Sequence, residues 1–187
     1  GSAASVADFM IPISFGTQTT GSIIRPAAYC GIIGYKPTYG DFDKSGILPN
    51  SPTFDTLGLM ARSIADIELM RNIILEEQIH LKESFMLKDI KFAFIRTPHW
   101  EDYTDISTKV EIENFISYLK KSNIKVSEVN INDLIKEASD IHTQLSGFEF
   151  KRSISTERIN YFNELSEILR KGRLSEGNKL TLNGYRE

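Results

Sequence analysis

Cysteine and excess positive charge are scarce in this sequence, and each scarcity excludes a class of protein. Cys30 is the only cysteine in the 187 residues, so an internal disulfide is excluded, and we expect a cytoplasmic protein in a reducing compartment. The formal net charge is −3 and the lysines are spread among acids, which argues against a nucleic-acid partner. No apolar stretch approaches the roughly 20 residues of a membrane helix, so we expect no membrane partner.

The sequence does contain a serine set among small and hydroxyl-bearing residues, directly after an apolar run. The run from Met10 to Phe15 predicts a short buried strand, and Gly16 is predicted to open a loop. Gly21 would permit a sharp turn that brings backbone amides close to a reacting oxygen, which makes Ser22 a candidate nucleophile. Composition taken alone favours an ordinary Thr-rich turn at this place.

A longer sequence pattern favours a nucleophilic Ser22 over an ordinary turn. It comprises four segments, Gly1 to Ala7, Gly16 to Gly31, Gly34 to Thr38 and Asp55 to Ser63. In order and spacing these segments resemble the amidase signature family of serine hydrolases, densely from Ser2 to Asp66 and with a short echo from Arg96 to Trp100. The resemblance implies an α/β protein with the amidase signature fold, in which helices flank a mixed β-sheet. It also implies that residues 1–187 are a fragment of one such domain, with the signature in 1–66 and a helical and βαβ continuation in 67–187.

The resemblance further implies amide hydrolysis by a serine, cis-serine and lysine triad, with Ser22 at the nucleophile position and no metal or cofactor. The amides of Thr19, Thr20, Gly21 and Ser22 match the family's oxyanion hole. The cis-serine and the lysine would fall upstream of Gly1. We therefore expect this chain to be cut at its N-terminus, and at its C-terminus as well, and to be inactive alone towards a small-molecule amide.

Three residues near Ser22 depart from the family pattern or separate its branches. Thr20 stands where the family often has glycine. Amidotransferase subunits that make glutaminyl- or asparaginyl-tRNA usually carry Asp where Gln18 stands and Arg one position before Arg25, so the sequence favours a free-standing amidase. Gln18 and Arg25 are expected either to contact substrate or to have a structural role, with Arg25 forming ion pairs beneath the loop.

Other residues could in principle substitute for the missing base or act as a second nucleophile. Lys36 lies in a segment that is structural in the family, and His80, His99 and His142 have no sequence link to Ser22. We expect surface or packing roles for the three histidines. Cys30, between small and aromatic residues, is expected to be a small core residue.

Two alternatives to a free-standing amidase stay open. One is an amidotransferase subunit that works in a complex with partners. The other is a non-catalytic interaction fragment, because a truncated sheet would expose apolar surface and strand edges that favour a partner, including a second copy in a homo-oligomer.

Periodicity predicts the remaining elements. In the first half they are a helix end over Ser2 to Phe9, an apolar run at Ile32 and Ile33, a loop from Pro37 to Pro52 lying over the site, and a helix from Ile64 towards Glu77 that is capped by Ser63 and Asp66. Further along the chain they are a strand from Ile90 to Ile95, a helix from Thr108 to Lys121 and a strand from Lys125 to Val129. The apolar face of the helix from Thr108 to Lys121 comprises Ile112, Phe115, Ile116 and Leu119. The order strand, helix, strand predicts a parallel βαβ unit.

Two helical segments are predicted after Asp133. The second runs from Ser155 to Lys171 and is stopped by Gly172, and its apolar face comprises Tyr161, Phe162, Leu165, Ile168 and Leu169. Phe148, Phe150 and Tyr161 are expected either to line a substrate pocket or to pack between helices.

Overall fold

The computed structural model describes residues 1–77, 86 and 90–186, and its contacts divide the chain into two units. The first unit comprises residues 1–80 and 143–187, and the second comprises residues 81–142. Both units combine a sheet with helices, so the α/β class and the mixture of sheets and flanking helices are confirmed. The expectation of one domain divided at residue 66 stays a prediction.

An antiparallel three-stranded sheet forms the centre of the first unit, in the order β1 (Ile13–Gln18), β3 (Thr56–Ala61), β2 (Ile33–Tyr35). Its register pairs Gly16 of β1 with Gly58 of β3. Helix α1 (Ser2–Ala7) precedes the sheet, and helix α2 (Ile24–Tyr29) connects β1 to β2. The largest fully buried side chains near this sheet are Val6, Ile23, Leu59 and Met60.

The predicted strand from Met10 to Phe15 was wrong at both ends. Met10 is 71% exposed, and the strand begins at Ile13 and continues through Gln18, so Gly16 does not open the loop. The reason is the pairing with β3, which engages every residue from Ile13 to Gln18 in an antiparallel ladder. Such a pairing depends on residues about 40 positions away and overrides the local apolar run.

Gly58 shows why the sheet and the segment after Ser22 can lie close together. A Cβ atom built at Gly58 would lie 2.3 Å from the Tyr35 carbonyl oxygen and 2.6 Å from Ile23 Cδ1. Any side chain at this position would push the buried Ile23 away from the strand. Glycine therefore allows Ile23, the residue after Ser22, to pack directly on β3.

Helix α3 (Ile64–Ile74) confirms the predicted start and the predicted cap. The Ser63 hydroxyl oxygen accepts from the Asp66 amide at 3.1 Å and donates to the Asp66 carboxylate at 2.7 Å. Ile67 is buried against Phe42, Leu59 and Ala61, but Ile64 is exposed because it lies at the solvent side of the first turn.

The second unit contains the predicted parallel βαβ arrangement. Strand β4 (Lys91–Phe94) pairs in parallel with β5 (Lys125–Glu128), and two helices lie between them in sequence, α4 (Trp100–Tyr103) and α5 (Ile106–Lys121). On α5, Ile116 and Leu119 are buried as predicted, whereas Phe115 is 57% exposed. The buried stripe is therefore narrower than the apolar pattern suggested.

After β5 the chain is helical. Helix α6 (Asn132–Ser153) is followed by α7 (Ser155–Asn160), a 3₁₀ turn (Phe162–Glu164), a π-helical turn (Leu169–Arg173), α8 (Leu174–Glu176) and α9 (Leu182–Arg186).

The predicted helix from Ser155 to Lys171 was wrong, because the helix ends at Asn160. Tyr161 leaves helical geometry at φ −132°, and Leu165 is extended. The predicted apolar face is not buried, since Tyr161, Phe162 and Ile168 are exposed and Leu165 and Leu169 are half-buried. Gly172 does not stop a helix either, because it lies inside the π-helical turn.

Candidate functional site

Ser22 lies in the turn between β1 and α2, at the edge of a cavity of about 350 Å³. Small residues at the start of the chain, from Gly1 to Ala4, line the cavity together with Gly16, Thr17 and Cys30. The Ser22 side chain is exposed, and no hydrogen bond involves its hydroxyl within residues 1–77, 86 and 90–186. The hydroxyl is therefore open to a molecule that enters the cavity.

Gln18, the last residue of β1, holds the end of this turn. Its Oε1 atom accepts from the Ile23 amide at 2.9 Å and from the Ile24 amide at 3.1 Å. The Gln18 side chain is buried and does not line the Ser22 cavity. Gln18 therefore has the structural role that was one of the two expected for it. Its side chain accepts from amides at the start of α2 that have no partner within the helix.

Thr19 is fixed by a second set of contacts. Its hydroxyl donates to Asp55 Oδ1 at 2.5 Å and accepts from Asn50 Nδ2 at 2.6 Å. The other carboxylate oxygen of Asp55 accepts from the amides of Asn50 at 2.7 Å and Ser51 at 2.8 Å. Asp55 therefore ties the Ser22 turn to the turn formed by residues 50–55.

The four amides expected to form the oxyanion hole follow one another in this turn. In the part of the chain that the structure describes, the amides of Gly21 and Ser22 donate to no protein acceptor. Thr19 and Thr20 have further interactions of their own, and Thr20 is exposed. Among the described residues these two backbone donors thus have no acceptor, and Ser22 itself borders the cavity.

Arg25 is exposed on α2, and its amide donates to the Gly21 carbonyl oxygen at 2.9 Å. Its guanidinium forms no ion pair with any residue that the structure describes, so the ion pairs expected beneath the loop are not found there. Contact with substrate stays a prediction.

The candidate substitute bases have other surroundings. The Lys36 ammonium donates to the Pro37 carbonyl oxygen at 2.5 Å, and Lys36 does not line the Ser22 cavity. In the second unit, the His99 ring packs edge-on against Tyr103 at 5.3 Å. His142 lies on α6, and His80 lies outside the described residues. Cys30 is half-buried and packs against the cluster of Ala3, Ile23, Ala27 and Met60.

The segment from Pro37 to Pro52 is a loop, as predicted, but it does not line the Ser22 cavity. It surrounds a separate cavity of about 500 Å³, whose walls include Tyr39, Phe42 and Leu48. Thr17 borders both cavities. Of the contacts described above, the hydrogen bond from Asn50 to the Thr19 hydroxyl joins this loop to the Ser22 turn.

A polar cluster that the sequence did not predict surrounds Glu149 near the end of α6. Glu149 is only 5% exposed, although it carries a carboxylate. Its Oε2 atom accepts from the Ser51 hydroxyl and from the Thr53 amide at 3.1 Å. Its Oε1 atom accepts from the Thr53 hydroxyl at 2.5 Å and from the Tyr185 hydroxyl at 2.6 Å. The only local signal is a glutamate between Phe148 and Phe150.

The donors around Glu149 determine its ionisation. Burial acts to raise the pKa of Glu149, but the hydrogen bonds from Ser51, Thr53 and Tyr185 outweigh burial and lower it. The hydrogen bond to Glu149 raises the pKa of Tyr185, whose ring stacks on Phe148 at 4.9 Å. Phe148 is therefore packed between elements of the first unit, Phe150 is half-buried, and Tyr161 is exposed.

Membrane-spanning helices and metal-binding clusters are both absent from the described residues. No helix among them has the length and apolarity needed to cross a membrane. No group of three or more His, Cys, Asp or Glu side chains within residues 1–77, 86 and 90–186 is arranged to hold a metal ion.

Comparisons with known proteins point to one family. A family model described as amidase matches residues 1–182. The chain is 34% identical over 152 residues to an indoleacetamide hydrolase of Pseudomonas syringae pv. syringae, a match that covers 80% of this chain and 33% of that protein. It is 32% identical over 143 residues to a glutamyl-tRNA(Gln) amidotransferase subunit of Fusobacterium nucleatum, covering 70% of this chain and 29% of that protein.

Solved structures agree with these matches. A crystal structure of an amidase superposes with a TM-score of 0.83 at 27% identity, over 99% of this chain and 41% of the other. The peptide amidase of Stenotrophomonas maltophilia shares the fold with a TM-score of 0.73 at 23% identity, over 99% of this chain and 45% of the other. The chain thus spans about a third of the length of the curated relatives above.

Proposed function

Because the chain belongs to the amidase family, we propose that the whole protein of which it forms part hydrolyses the C–N bond of a carboxylic amide through Ser22. The Ser22 oxygen attacks the amide carbonyl carbon, and the amine leaves after it takes up a proton. Water then attacks the resulting ester, which releases the carboxylic acid and restores the Ser22 hydroxyl. Neither step requires an oxidant, a reductant or a metal ion.

The observation that carries this proposal is the environment of Ser22. Its hydroxyl, without a partner among the described residues, borders a cavity beside the free amides of Gly21 and Ser22. Such donors stabilise the negative oxygen of the tetrahedral intermediate, and removing one typically lowers the rate by about a hundredfold or more. The proposed oxyanion hole comprises these amides and those of Thr19 and Thr20.

Among the described residues, no lysine, histidine or carboxylate lines the Ser22 cavity to take the Ser22 proton. A serine hydroxyl is a weak nucleophile until a base takes its proton, and Lys36 is engaged with the Pro37 carbonyl oxygen. The resemblance assigns this work to a cis-serine and a lysine upstream of Gly1. We therefore propose that residues 1–187 alone are inactive and that the whole protein is active.

A fluorophosphonate probe tests this proposal, because it phosphonylates only an activated serine. We expect the intact mass of the whole protein to increase by one adduct, located at Ser22 by peptide mapping. Ser22→Ala is expected to abolish the adduct, and the control Ser45→Ala, which changes an exposed loop serine, is expected to retain it. The 187-residue chain alone should stay unlabelled. Absence of an adduct in the whole protein would refute the proposal.

A second candidate function is amide-derived ammonia transfer in a complex, since relatives named as components of an amidotransferase are about as similar as the hydrolases. Gln18 and the position of Arg25 favour the free-standing enzyme. Release of ammonia from an amide by the purified whole protein alone would support hydrolysis. Glutamine-dependent activity only after a tRNA-binding partner copurifies would support the second candidate.

A further inference from the structure

Glu149 is a buried carboxylate whose hydrogen bonds all come from uncharged donors. Ser51, Thr53 and Tyr185 supply four donors to its two oxygens, and no salt bridge of Glu149 occurs among the described residues. Burying a carboxylate is unfavourable, and packing alone would be served as well by an apolar side chain. The donors therefore indicate that the group fixes the geometry of the 50–55 turn.

Ser51 connects Glu149 to Asp55. Ser51 is fully buried, and its hydroxyl donates to Glu149 while its amide donates to Asp55 Oδ2 at 2.8 Å. The Ser51 carbonyl oxygen accepts from the Asp55 amide, also at 2.8 Å. The two carboxylates, Glu149 and Asp55, thus each accept a hydrogen bond from the same residue.

Asp55 continues the connection to the Ser22 turn. Its Oδ1 atom accepts from the Thr19 hydroxyl at 2.5 Å, and Asn50 of the same turn donates to that hydroxyl at 2.6 Å. Thr19 is followed directly by Thr20, Gly21 and Ser22. A displacement of the 50–55 turn would therefore move the backbone that carries the proposed oxyanion donors.

We propose that Glu149 is a positioning residue for the Ser22 turn, acting through Ser51, Asp55 and Thr19. The proposal rests on the proposed function for its effect on catalysis, but its structural part is testable without activity. Glu149 touches neither the Ser22 cavity nor Ser22 itself. Its loss is expected to change the rate of the chemical step more than the binding of the reagent.

Fluorophosphonate labelling of the whole protein separates the chemical step from binding of the reagent. The maximal labelling rate reports the chemical step, and the reagent concentration at half-maximal rate reports binding. We expect Glu149→Ala to lower the maximal rate by about tenfold to a hundredfold, since a misplacement of about 1 Å has effects of this size. The half-maximal concentration should change less than about twofold, as expected when binding is preserved. Glu137→Ala, at an exposed glutamate of the same helix, should match the wild type.

Glu149→Gln provides the conservative rescue. A glutamine can direct its oxygen to the Thr53 amide and its NH₂ group to the hydroxyl oxygens of Thr53 and Tyr185, which can accept as well as donate. We expect its maximal labelling rate to stay within about threefold of the wild type, because the geometry of the turn is kept.

Two controls separate positioning from general destabilisation. Leu174→Ala removes a buried side chain elsewhere in the first unit and should lower the melting temperature without lowering the labelling rate of the folded protein. If Glu149→Ala does not fold, Ser51→Ala removes only the hydroxyl between Glu149 and the turn and should also lower the rate. An unchanged maximal rate in folded Glu149→Ala or Ser51→Ala would overturn the proposal.

Hydrogen–deuterium exchange distinguishes failure of this proposal from failure of the proposed function. Loss of Glu149 should accelerate exchange in peptides covering residues 17–24 and 50–55, but Leu174→Ala should not. A wild-type protein that resists labelling refutes the proposed function, and the exchange result then decides the role of Glu149 by itself. Unchanged exchange over residues 17–24 would overturn the positioning role whatever the labelling result.

Discussion

Two buried carboxylates hold turns together in the first unit, whereas the ion-pair cluster around Arg96 in the second unit is solvent-accessible. Asp55 and Glu149 are 6% and 5% exposed and accept hydrogen bonds from hydroxyls and backbone amides. In the second unit, Arg96 pairs with Glu113 and Glu128, and these three side chains are 37%, 45% and 53% exposed. The carboxylates of Asp55 and Glu149 are thus buried among uncharged donors, whereas those of Glu113 and Glu128 are paired with Arg96 and remain accessible to water.

The difference between buried carboxylates and exposed ion pairs indicates where side chains fix the backbone of a turn. A buried carboxylate that accepts from amides determines the path of a turn, and leaving those donors unpaired is unfavourable. An exposed ion pair is screened by water and salt and joins flexible side chains. The Ser22 turn lies in the unit that contains these buried carboxylates, and the oxyanion hole proposed there would require fixed donors.

Removal of Asp55 should have the largest effect on this comparison. Asp55→Ala leaves the Thr19 hydroxyl and the amides of Asn50 and Ser51 without their acceptor, so we expect a loss of about 3 kcal/mol in the free energy of unfolding. Urea unfolding of the whole protein measures this loss. Asp41→Ala, at an exposed aspartate of the neighbouring loop, is the matched control and should change stability by less than about 0.5 kcal/mol.

Equal stability of the two aspartate variants would break the comparison. It would mean that water replaces the Asp55 carboxylate without loss, and that the buried carboxylates of the first unit are no more important than surface charges.

Local patterns predicted the elements whose causes are local. The capping pair Ser63 and Asp66 indicated the start of α3, and the order strand, helix, strand indicated the parallel pair of β4 and β5. Helix caps and amphipathic periods act over three to four residues, so one stretch of sequence contains them.

Features that depend on distant partners were missed. The end of β1 is set by pairing with β3, and Glu149 accepts from Ser51 across 98 positions. The helix predicted after Ser155 failed for a related reason, since Tyr161 and Ile168 repeat at helical spacing without an apolar partner to cover them. Periodicity shows which residues would share a face but not whether that face is buried.

The candidate site was predicted by resemblance more than by physical pattern. The order of residues around Ser22 indicated a nucleophile and its amides, and these roles stay predictions. The hydrogen bond between Thr19 and Asp55, which joins positions 36 apart, had no local signal. Gln18 was expected near the site, but its hydrogen bonds to the Ile23 and Ile24 amides required the three-dimensional turn.

Acid should destabilise the first unit through Glu149, with an effect smaller than that of Asp55→Ala. The donors around Glu149 lower its pKa in the folded protein, so its stabilising effect is present above the ordinary glutamate pKa and is lost as pH falls through the folded pKa. One such group changes the free energy of unfolding by at most about 1.4 kcal/mol per pH unit. Urea midpoints between neutral pH and pH about 3 measure this slope, since that range spans the ordinary carboxylate values.

Glu149→Gln cannot lose a proton, so its midpoint should depend less on pH than that of the wild type over the same range. Tyr185 donates to Glu149 and has a raised pKa, so it stays protonated throughout. Parallel pH profiles for wild type and Glu149→Gln would show that Glu149 has the same pKa in the folded and unfolded states.

Disruption of the Arg96 cluster in the second unit should have the smallest effect, although its geometry is good. Arg96 Nη2 lies 2.6 Å from Glu113 Oε1, its other terminal nitrogen contacts Glu128, and its guanidinium lies 4.7 Å from the centre of the Phe94 ring. We expect Arg96→Ala to lower the free energy of unfolding far less than Asp55→Ala does, because water already solvates the charges. This loss of free energy of unfolding should become smaller as salt is raised from low to molar concentration. A double-mutant cycle that combines Arg96→Ala with Glu113→Ala isolates the contribution of the Arg96–Glu113 ion pair. A loss as large as that of Asp55→Ala, independent of salt, would show that the second unit relies on its charges as strongly as the first.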